Sequence, residues 1–221
     1  MIYMENIAIC LVAPLLIAIF LLKGETKRFI GYYGVGILVC LLAAYINSYV
    51  VTIILSNSGQ ATMTTEQSVV QLTPIVEEIM KTIPVFMYIA IAAPKRSSII
   101  SVSLAVGLGF ATFENICYIT QVGAGDFLFT LIRGFSAGVM HTVCAAIIGY
   151  GLSVVYNRGR MVFPCAFAIL CVTSTFHGIY NLLVAREGAI RIIGFVIPLV
   201  HATAILFVLM WNGGDTITEK Q

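Results

Sequence analysis

Ionisable side chains recur within stretches of the chain that are otherwise apolar enough to cross a membrane. They are Glu77, Glu78, Lys81, Glu114, His141 and His177. A charged residue at the centre of a spanning helix costs roughly 2.5–3.5 kcal/mol on insertion scales, so such residues are rare and mark functional sites. Since carboxylates and imidazoles act as acids, bases and metal ligands, the pattern predicts chemistry within the bilayer.

Spacing groups the first three of these residues on one helix face. Glu77 and Glu78 lie four and three positions before Lys81, so either carboxylate can pair with the ammonium. We expect one glutamate to make this pair and the other to face a cavity. An ion pair that only locks two helices together is the alternative for this segment.

The remaining polar residues are spread over three later spans. His177 and Asn181 lie one helical turn apart, so an imidazole and an amide can reach a common point. Glu114 lies near the end of its span and could instead extend to the membrane interface. His141 follows a run of small residues, which predicts close packing of its helix. His201 has no polar neighbours in its span, and we assign it a structural role.

The composition is that of a membrane protein. Of the 221 residues, 60% are hydrophobic and only 10% are charged, whereas soluble domains carry about 25% charged residues. We therefore predict an all-α fold, a polytopic bundle of transmembrane helices that forms one integral membrane domain over residues 1–221. No soluble domain of useful size fits between the spans.

Two residue types predict how the helices pack. All six cysteines fall within apolar stretches and none forms a C-x-x-C pair, so we expect neither disulfides nor a zinc ribbon. Gly107 and Gly109 shortly precede Glu114 and predict the close approach of a neighbouring helix.

A stretch of about 20 apolar residues crosses a hydrocarbon core of about 30 Å. Seven stretches meet or approach this length, and six or eight spans stay open as alternatives. The seven are Ile7–Leu22, Phe29–Leu55, Val69–Ala93, Ile99–Ile119, Phe127–Tyr156, Met161–Ala185 and Ile192–Trp211. The N-terminus lacks the basic segment of a secretory signal, so we expect the first span to be retained.

The loops between these spans alternate in charge. Basic residues follow the first, third and fifth spans, namely Lys23, Lys27, Arg28, Lys95, Arg96, Arg158 and Arg160. The loops Ser56–Ser68 and Thr120–Asp126 contain no lysine or arginine, whereas the sixth loop departs from the pattern with Arg186 and Arg191. Because cytoplasmic loops carry an excess of lysine and arginine, we expect the N-terminus outside and the C-terminus in the cytoplasm.

This orientation predicts the depth of the polar residues. Glu77 lies eight residues from the outer end of its span, about 12 Å at the helical rise. Glu114 lies five residues, and His177 eight, from the outer ends of their spans. All three are therefore predicted in the outer leaflet, as one convergent site requires, while His141 is predicted to lie deeper.

Three functions fit these residues. In the first, a glutamate deprotonates a water molecule that attacks a peptide carbonyl, and histidine and asparagine donors stabilise the oxyanion. In the second, a divalent metal such as zinc polarises the water, with Glu77, Glu114, His141 and His177 as candidate ligands. In the third, the residues line the path of a proton- or cation-coupled membrane transporter. The residues alone leave all three open.

Four short motifs occur in a fixed order along the chain. They are E-E-I-M-K from Glu77, F-A-T-F-E-N from Phe110, a mid-helix His141 with a trailing G-Y-G, and H-G-I-Y-N from His177. Together they resemble the PrsW intramembrane protease family and, more broadly, the CAAX-protease and bacteriocin-processing group. The resemblance runs from about Pro74 to Asn181. It implies a multi-pass protease of the bacterial cell membrane with a protease-like core over residues 69–185.

The resemblance also implies roles for the first motif. Glu77 is expected to activate water, with Glu78 as its partner and Lys81 as an internal, structural counter-ion. The CAAX-type proteases place a basic residue one position later than Lys81 and carry histidine where this chain has Glu114. Their pairing of a glutamate with a histidine for water activation therefore does not transfer directly.

For the later motifs, the resemblance places Glu114 in the second catalytic motif. His177 with Asn181 is expected to stabilise the oxyanion, and His141 is expected to be a further catalytic residue.

The family is known for a first, extracytoplasmic-side cut in a single-span anti-sigma factor, which leads to release of a sigma factor. The expected partners are therefore a single-span membrane protein and the lipid bilayer, with no nucleic acid. Since PrsW-like proteins are labelled metalloproteases, a divalent metal such as zinc is the expected cofactor.

Overall fold

A computed structural model describes residues 26–57, 65–122 and 127–218 of the chain. They form six α-helices: α1 (Thr26–Asn57), α2 (Thr65–Ala92), α3 (Arg96–Val122), α4 (Phe127–Val155), α5 (Val162–Val184) and α6 (Ala189–Thr218). A 3₁₀ turn, Gly159–Met161, precedes α5. Within the described ranges no strand occurs, so the predicted all-α class is confirmed.

The structure corrects the predicted number of spans from seven to five candidates. These are Lys27–Ile53, Arg96–Thr120, Leu128–Val155, Gly159–Val184 and Ala189–Phe207. The predicted first span, Ile7–Leu22, lies outside the described residues. The predicted third span forms α2, which is not among the five candidates because it carries three charged residues, Glu77, Glu78 and Lys81, within five positions.

The helices α3 and α4 form the centre of the bundle. Of their most apolar stretches, 72% and 67% are buried inside the protein, against 22% or less for α1, α5 and α6. The outer helices instead expose large apolar side chains such as Tyr45, Phe163 and Phe207. A bundle that presents apolar side chains outward suits a hydrocarbon surrounding.

The helix α2 has its charged face inward and its apolar face outward. Glu77, Glu78 and Lys81 are all buried, whereas Ile75 and Ile79 on the opposite face are exposed. Polar residues inside a membrane face the bundle interior because lipid cannot solvate them. The orientation of α2 is therefore set by the position of its charges.

Glycines let the central helices approach their neighbours closely. A Cβ added to Gly36 of α1 would collide with the backbone of α3, and one added to Gly109 of α3 would collide with the backbone of Tyr33. A Cβ on Gly107 would lie only 2.5 Å from the Cβ of Ala145 in α4. The predicted close approach at Gly107 and Gly109 is confirmed. The five described cysteines are free, as predicted.

One end of the bundle carries the basic α2–α3 and α4–α5 connections, whereas Arg186 and Arg191 lie at the other end, in or next to the α5–α6 connection. The Tyr156 hydroxyl donates to the carbonyl of Pro94 across 3.2 Å, which ties the α4–α5 connection to the α2–α3 connection. These two connections carry four of the basic residues that sequence analysis singled out. The Arg28 guanidinium lies 5.6 Å from the ring centre of Tyr88, so the start of α1 is at this end as well. We call this the basic end.

The glycine contacts generate a stability prediction. Gly36→Ala inserts a methyl group into a backbone contact and should lower the free energy of unfolding by about 1–3 kcal/mol. Gly34→Ala is the matched control, because nothing lies within 4 Å of its added Cβ. Thermal unfolding of both variants in detergent micelles checks this, and equal melting temperatures would contradict the contact.

Candidate active site

Four helices bring six of the predicted site residues together in one cluster. Glu77 and His141 lie about four helical turns before the ends of α2 (at Ala92) and α4, and His177 lies about four turns after the start of α5. These helix ends are at the basic end, so the helical rise per residue places each of the three residues roughly 21–23 Å from it. The prediction of a deeper His141 was wrong, because α4 continues further past this level than α3 or α5 does.

Glu78 is the centre of the hydrogen-bond network. Its Oε1 accepts from the Nζ of Lys81 at 2.8 Å and from the Nδ1 of His177 at 2.9 Å. The glutamate has no exposed surface and the other two residues are almost fully buried. Since a carboxylate can only accept, the Nδ1 of His177 carries a proton, and in the neutral imidazole its Nε2 keeps a free lone pair.

His141 has the opposite tautomer. Its Nδ1 lies 2.6 Å from the Nζ of Lys81, which can only donate, so Nδ1 is the acceptor. Its Nε2 then carries the proton and donates to the Oε2 of Glu114. Both nitrogens of this fully buried imidazole are therefore engaged.

Glu114 is fixed in turn by Arg133, which lies two turns before His141 on α4. An Nη of Arg133 lies 3.5 Å from the Oε1 of Glu114, and another donates to the Oδ1 of Asn115 at 2.7 Å. The guanidinium carbon also lies 3.6 Å from the ring centre of Tyr118. The sequence predicts Arg133, a basic residue inside an apolar span eight positions before His141, as an outer-leaflet counter-charge or as an anchor at the membrane interface. It gives no signal for Tyr118.

Glu77 has a buried carboxylate oxygen that faces a histidine nitrogen. Within the described residues its Oε2 has no hydrogen bond, as is also true of the Oε2 of Glu78. The Oε2 of Glu77 lies 3.8 Å from the Nε2 of His177 and 4.0 Å from the Nζ of Lys81. An unpartnered buried carboxylate oxygen is costly. What distinguishes Glu77 from Glu78 is that its free oxygen faces the Nε2 of His177, which carries a free lone pair in the neutral imidazole.

A divalent metal fits this arrangement. One ligand atom each from Glu77, His141 and His177 lies within 4.8 Å of the others. Two ligands of one zinc ion lie roughly 3.3–3.5 Å apart for bonds of about 2.0–2.2 Å, close to the distance from Glu77 to His177. A histidine that binds metal usually donates its second N–H to a carboxylate, as His177 does to Glu78 and His141 to Glu114.

Only three of the four predicted metal ligands lie close enough together to hold one metal ion. Glu77, His141 and His177 form the group, whereas Glu114 lies against the Nε2 of His141 and acts as a support for that ring.

An apolar ring closes one side of the network. The ring centre of Phe110, the residue one turn before Glu114, lies 4.2 Å from the Nζ of Lys81 and 5.4 Å from the ring of His141. The imidazoles of His141 and His177 meet edge to face with 5.0 Å between their centres. Exclusion of water by these rings strengthens every charged contact in the site.

Two predicted positions lie apart from this network. Asn181 is half-buried one turn after His177, and among the described contacts its side chain makes no hydrogen bond to the six clustered residues. His201 is exposed, and its Nδ1 lies 2.9 Å from the carbonyl oxygen of Ile197 in its own helix. The structure therefore agrees with leaving His201 out of the site.

Comparison with known proteins yielded one family. A family model described as "PrsW family intramembrane metalloprotease" matches residues 26–211, which is most of the chain. No curated protein and no solved structure gave a significant match. The matched region contains every residue of the site described above. The broader relation to the CAAX-protease and bacteriocin-processing group stays a prediction.

The network generates a prediction about stability. Glu78→Gln removes the carboxylate that Lys81 and His177 share and leaves a buried ammonium without its nearest counter-charge. We expect a loss of about 3–5 kcal/mol in the free energy of unfolding. Glu187→Gln, at an exposed position between α5 and α6, is the control. Thermal unfolding in micelles measures both, and a Glu78 variant as stable as the control would refute the central role of Glu78.

Proposed function

The chain belongs to the PrsW family of intramembrane metalloproteases, and from that premise we propose that it hydrolyses a peptide bond of a membrane-anchored protein at the Glu77–His141–His177 cluster. The observation that carries the proposal is the buried, unpartnered Oε2 of Glu77, 3.8 Å from the Nε2 of His177. A carboxylate and two imidazoles from three helices converge there.

In this proposal Glu77, His141 and His177 hold a divalent metal such as zinc. The bound metal would polarise a water molecule and the scissile carbonyl, which is the chemistry that such sites supply. Glu78 and Glu114 keep the two rings oriented through their hydrogen bonds, and Arg133 keeps Glu114 in place.

Glu77 is also the residue on which a route without metal would depend. Its free Oε2 can accept a proton from water, which is the role of a general base. We further propose that Asn181, one turn beyond His177, donates to the developing oxyanion when substrate is bound.

We propose that cleavage occurs near the extracytoplasmic face. The site is roughly 21–23 Å from the basic end, beyond the middle of a hydrocarbon core of about 30 Å. Basic connections are cytoplasmic under the positive-inside rule. The same rule supports a C-terminus in the cytoplasm and an N-terminus outside, and the family resemblance supports a location in the bacterial cell membrane.

The proposed substrate is a single-span membrane protein, specifically an anti-sigma factor that receives its first cut in regulated proteolysis. The resemblance of the four motifs supports this choice. The short stretch of substrate that reaches the site lies within or next to its membrane span, since the catalytic residues are themselves inside the bundle.

The first test is loss of cleavage in site variants. Glu77→Gln and His177→Ala should each lower cleavage of a tagged single-span substrate by at least about a hundredfold, because each loses a group that acts on the reacting atoms. His201→Ala is the matched control, since this histidine is exposed and outside the site. Cleavage is followed by immunoblot, and wild-type rates in both site variants would refute the proposed site.

The second test concerns the substrate and the face of cleavage. The Glu77→Gln variant should retain substrate, so that crosslinking and mass spectrometry identify the bound protein. The cut that the wild-type protein makes in that substrate should map to the extracytoplasmic third of its span. A cut at the cytoplasmic end would overturn the proposed orientation, and flux of protons or cations without any proteolysis would favour a transporter.

A further inference from the structure

We propose that the ammonium group of Lys81 competes with the metal for His141, so that metal binds only by displacing this lysine. The inference rests on the proposed metal site and goes beyond it, because it makes Lys81 a determinant of metal affinity. The role differs from that of a fixed counter-ion, whose removal would weaken the site.

Both ring nitrogens of His141 are already engaged in hydrogen bonds. Its Nε2 donates to Glu114 and its Nδ1 accepts from Lys81, so neither nitrogen has a lone pair to offer a metal. Release of the bond to Glu114 would leave the N–H of Nε2 in place and still provide no lone pair. Release of Lys81 frees the lone pair of Nδ1 and preserves the support of the ring by Glu114.

The ammonium group of Lys81 lies among the proposed metal ligands. The Nζ of Lys81 lies 2.6 Å from the Nδ1 of His141 and 4.0 Å from the Oε2 of Glu77. A zinc ion bonded to that Nδ1 at about 2.0–2.1 Å would crowd the ammonium nitrogen that already occupies this lone pair. The lysine is 2% exposed, so it cannot simply turn into solvent.

Glu78 offers Lys81 a second hydrogen-bond acceptor. The Oε1 of Glu78 already accepts from Lys81 and His177, whereas its Oε2 is buried and accepts no hydrogen bond within the described residues. A lysine that leaves Nδ1 can therefore donate to Oε2 and stay paired with the same carboxylate. The free oxygen gives the displacement an acceptor without any change in the helices.

The charges of the site set the direction of the effect. Glu77, Glu78 and Glu114 bring three carboxyl groups to the site, against the two basic side chains of Lys81 and Arg133. Removal of either positive side chain should strengthen the binding of a divalent metal, because the site then repels a cation less. Only removal of Lys81 also frees the Nδ1 of His141.

The first experiment uses the wild-type protein and nitrogen-15 NMR of its three histidines. In metal-depleted protein in micelles, His141 should be protonated at Nε2 and His177 at Nδ1. Addition of zinc should shift the Nδ1 resonance of His141 and the Nε2 resonance of His177 together, and leave His201 unchanged. If His177 responds to zinc while the Nδ1 of His141 does not, the competition is overturned.

The second experiment compares Lys81→Met with Arg133→Met, which each remove one positive charge. Zinc affinity is measured by competition with a chromophoric chelator. We expect Lys81→Met to bind zinc at least about tenfold more tightly than wild type, since a unit charge a few ångströms away acts strongly in a low-dielectric interior. The gain in zinc affinity should be clearly smaller for Arg133→Met.

The outcomes separate this inference from the proposed function. Equal gains in the two variants, or a loss of affinity in Lys81→Met, would overturn the competition and leave the metal site intact. Absence of zinc binding by wild type and by both variants would overturn the metal site itself, and the inference with it. If Lys81→Met does not fold, the NMR experiment on wild type decides the question alone.

Discussion

The hydrogen bonds of Glu78 to Lys81 and His177 are the interaction on which the rest of the structure depends. The bond to His177 joins α2 to α5 across 99 positions of the chain, in a buried place where no water replaces it. A buried charge that loses its partner costs several kcal/mol, so the register of α2 against α5 is fixed by this contact. The same network sets the tautomers of the two histidines, because Lys81 donates to the Nδ1 of His141 and Glu78 accepts from the Nδ1 of His177.

The bundle is organised to keep this network in place. Backbone contacts at Gly36 and Gly109 hold α1 against α3, and the contact of Gly107 with Ala145 holds α3 against α4. Lipid does not drive helices together by the hydrophobic effect, so close packing and internal polar bonds must provide the attraction. The charged face of α2 then packs against the interior of the bundle, and its isoleucines face outward.

The chemistry follows from an imbalance within the network. Glu78 and Glu114 each accept the N–H of an imidazole, whereas the buried Oε2 of Glu77 has no hydrogen bond within the described residues and lies beside the free Nε2 of His177. Structural ion pairs satisfy their members, and functional sites retain groups that are satisfied only by a ligand. This difference, more than the presence of charges in the membrane, separates an active site from a set of helix-locking contacts.

The sequence by itself determined the helical class, the positions of most helices, the family and the six residues that cluster. Hydropathy, motif order and the cost of buried charge are local properties, so they could be read without coordinates. Spacing alone could not tell Glu77 from Glu78, because adjacent residues on one helix have the same neighbours in sequence and different neighbours in space; only the family resemblance gave Glu77 the role in water activation. Spacing also indicated a deeper position for His141, left the partners of Arg133 open and gave no sign that Lys81 contacts His141. Those relations are contacts between helices, which depend on how far each helix is rotated and shifted against the next, and only the tertiary structure decided them.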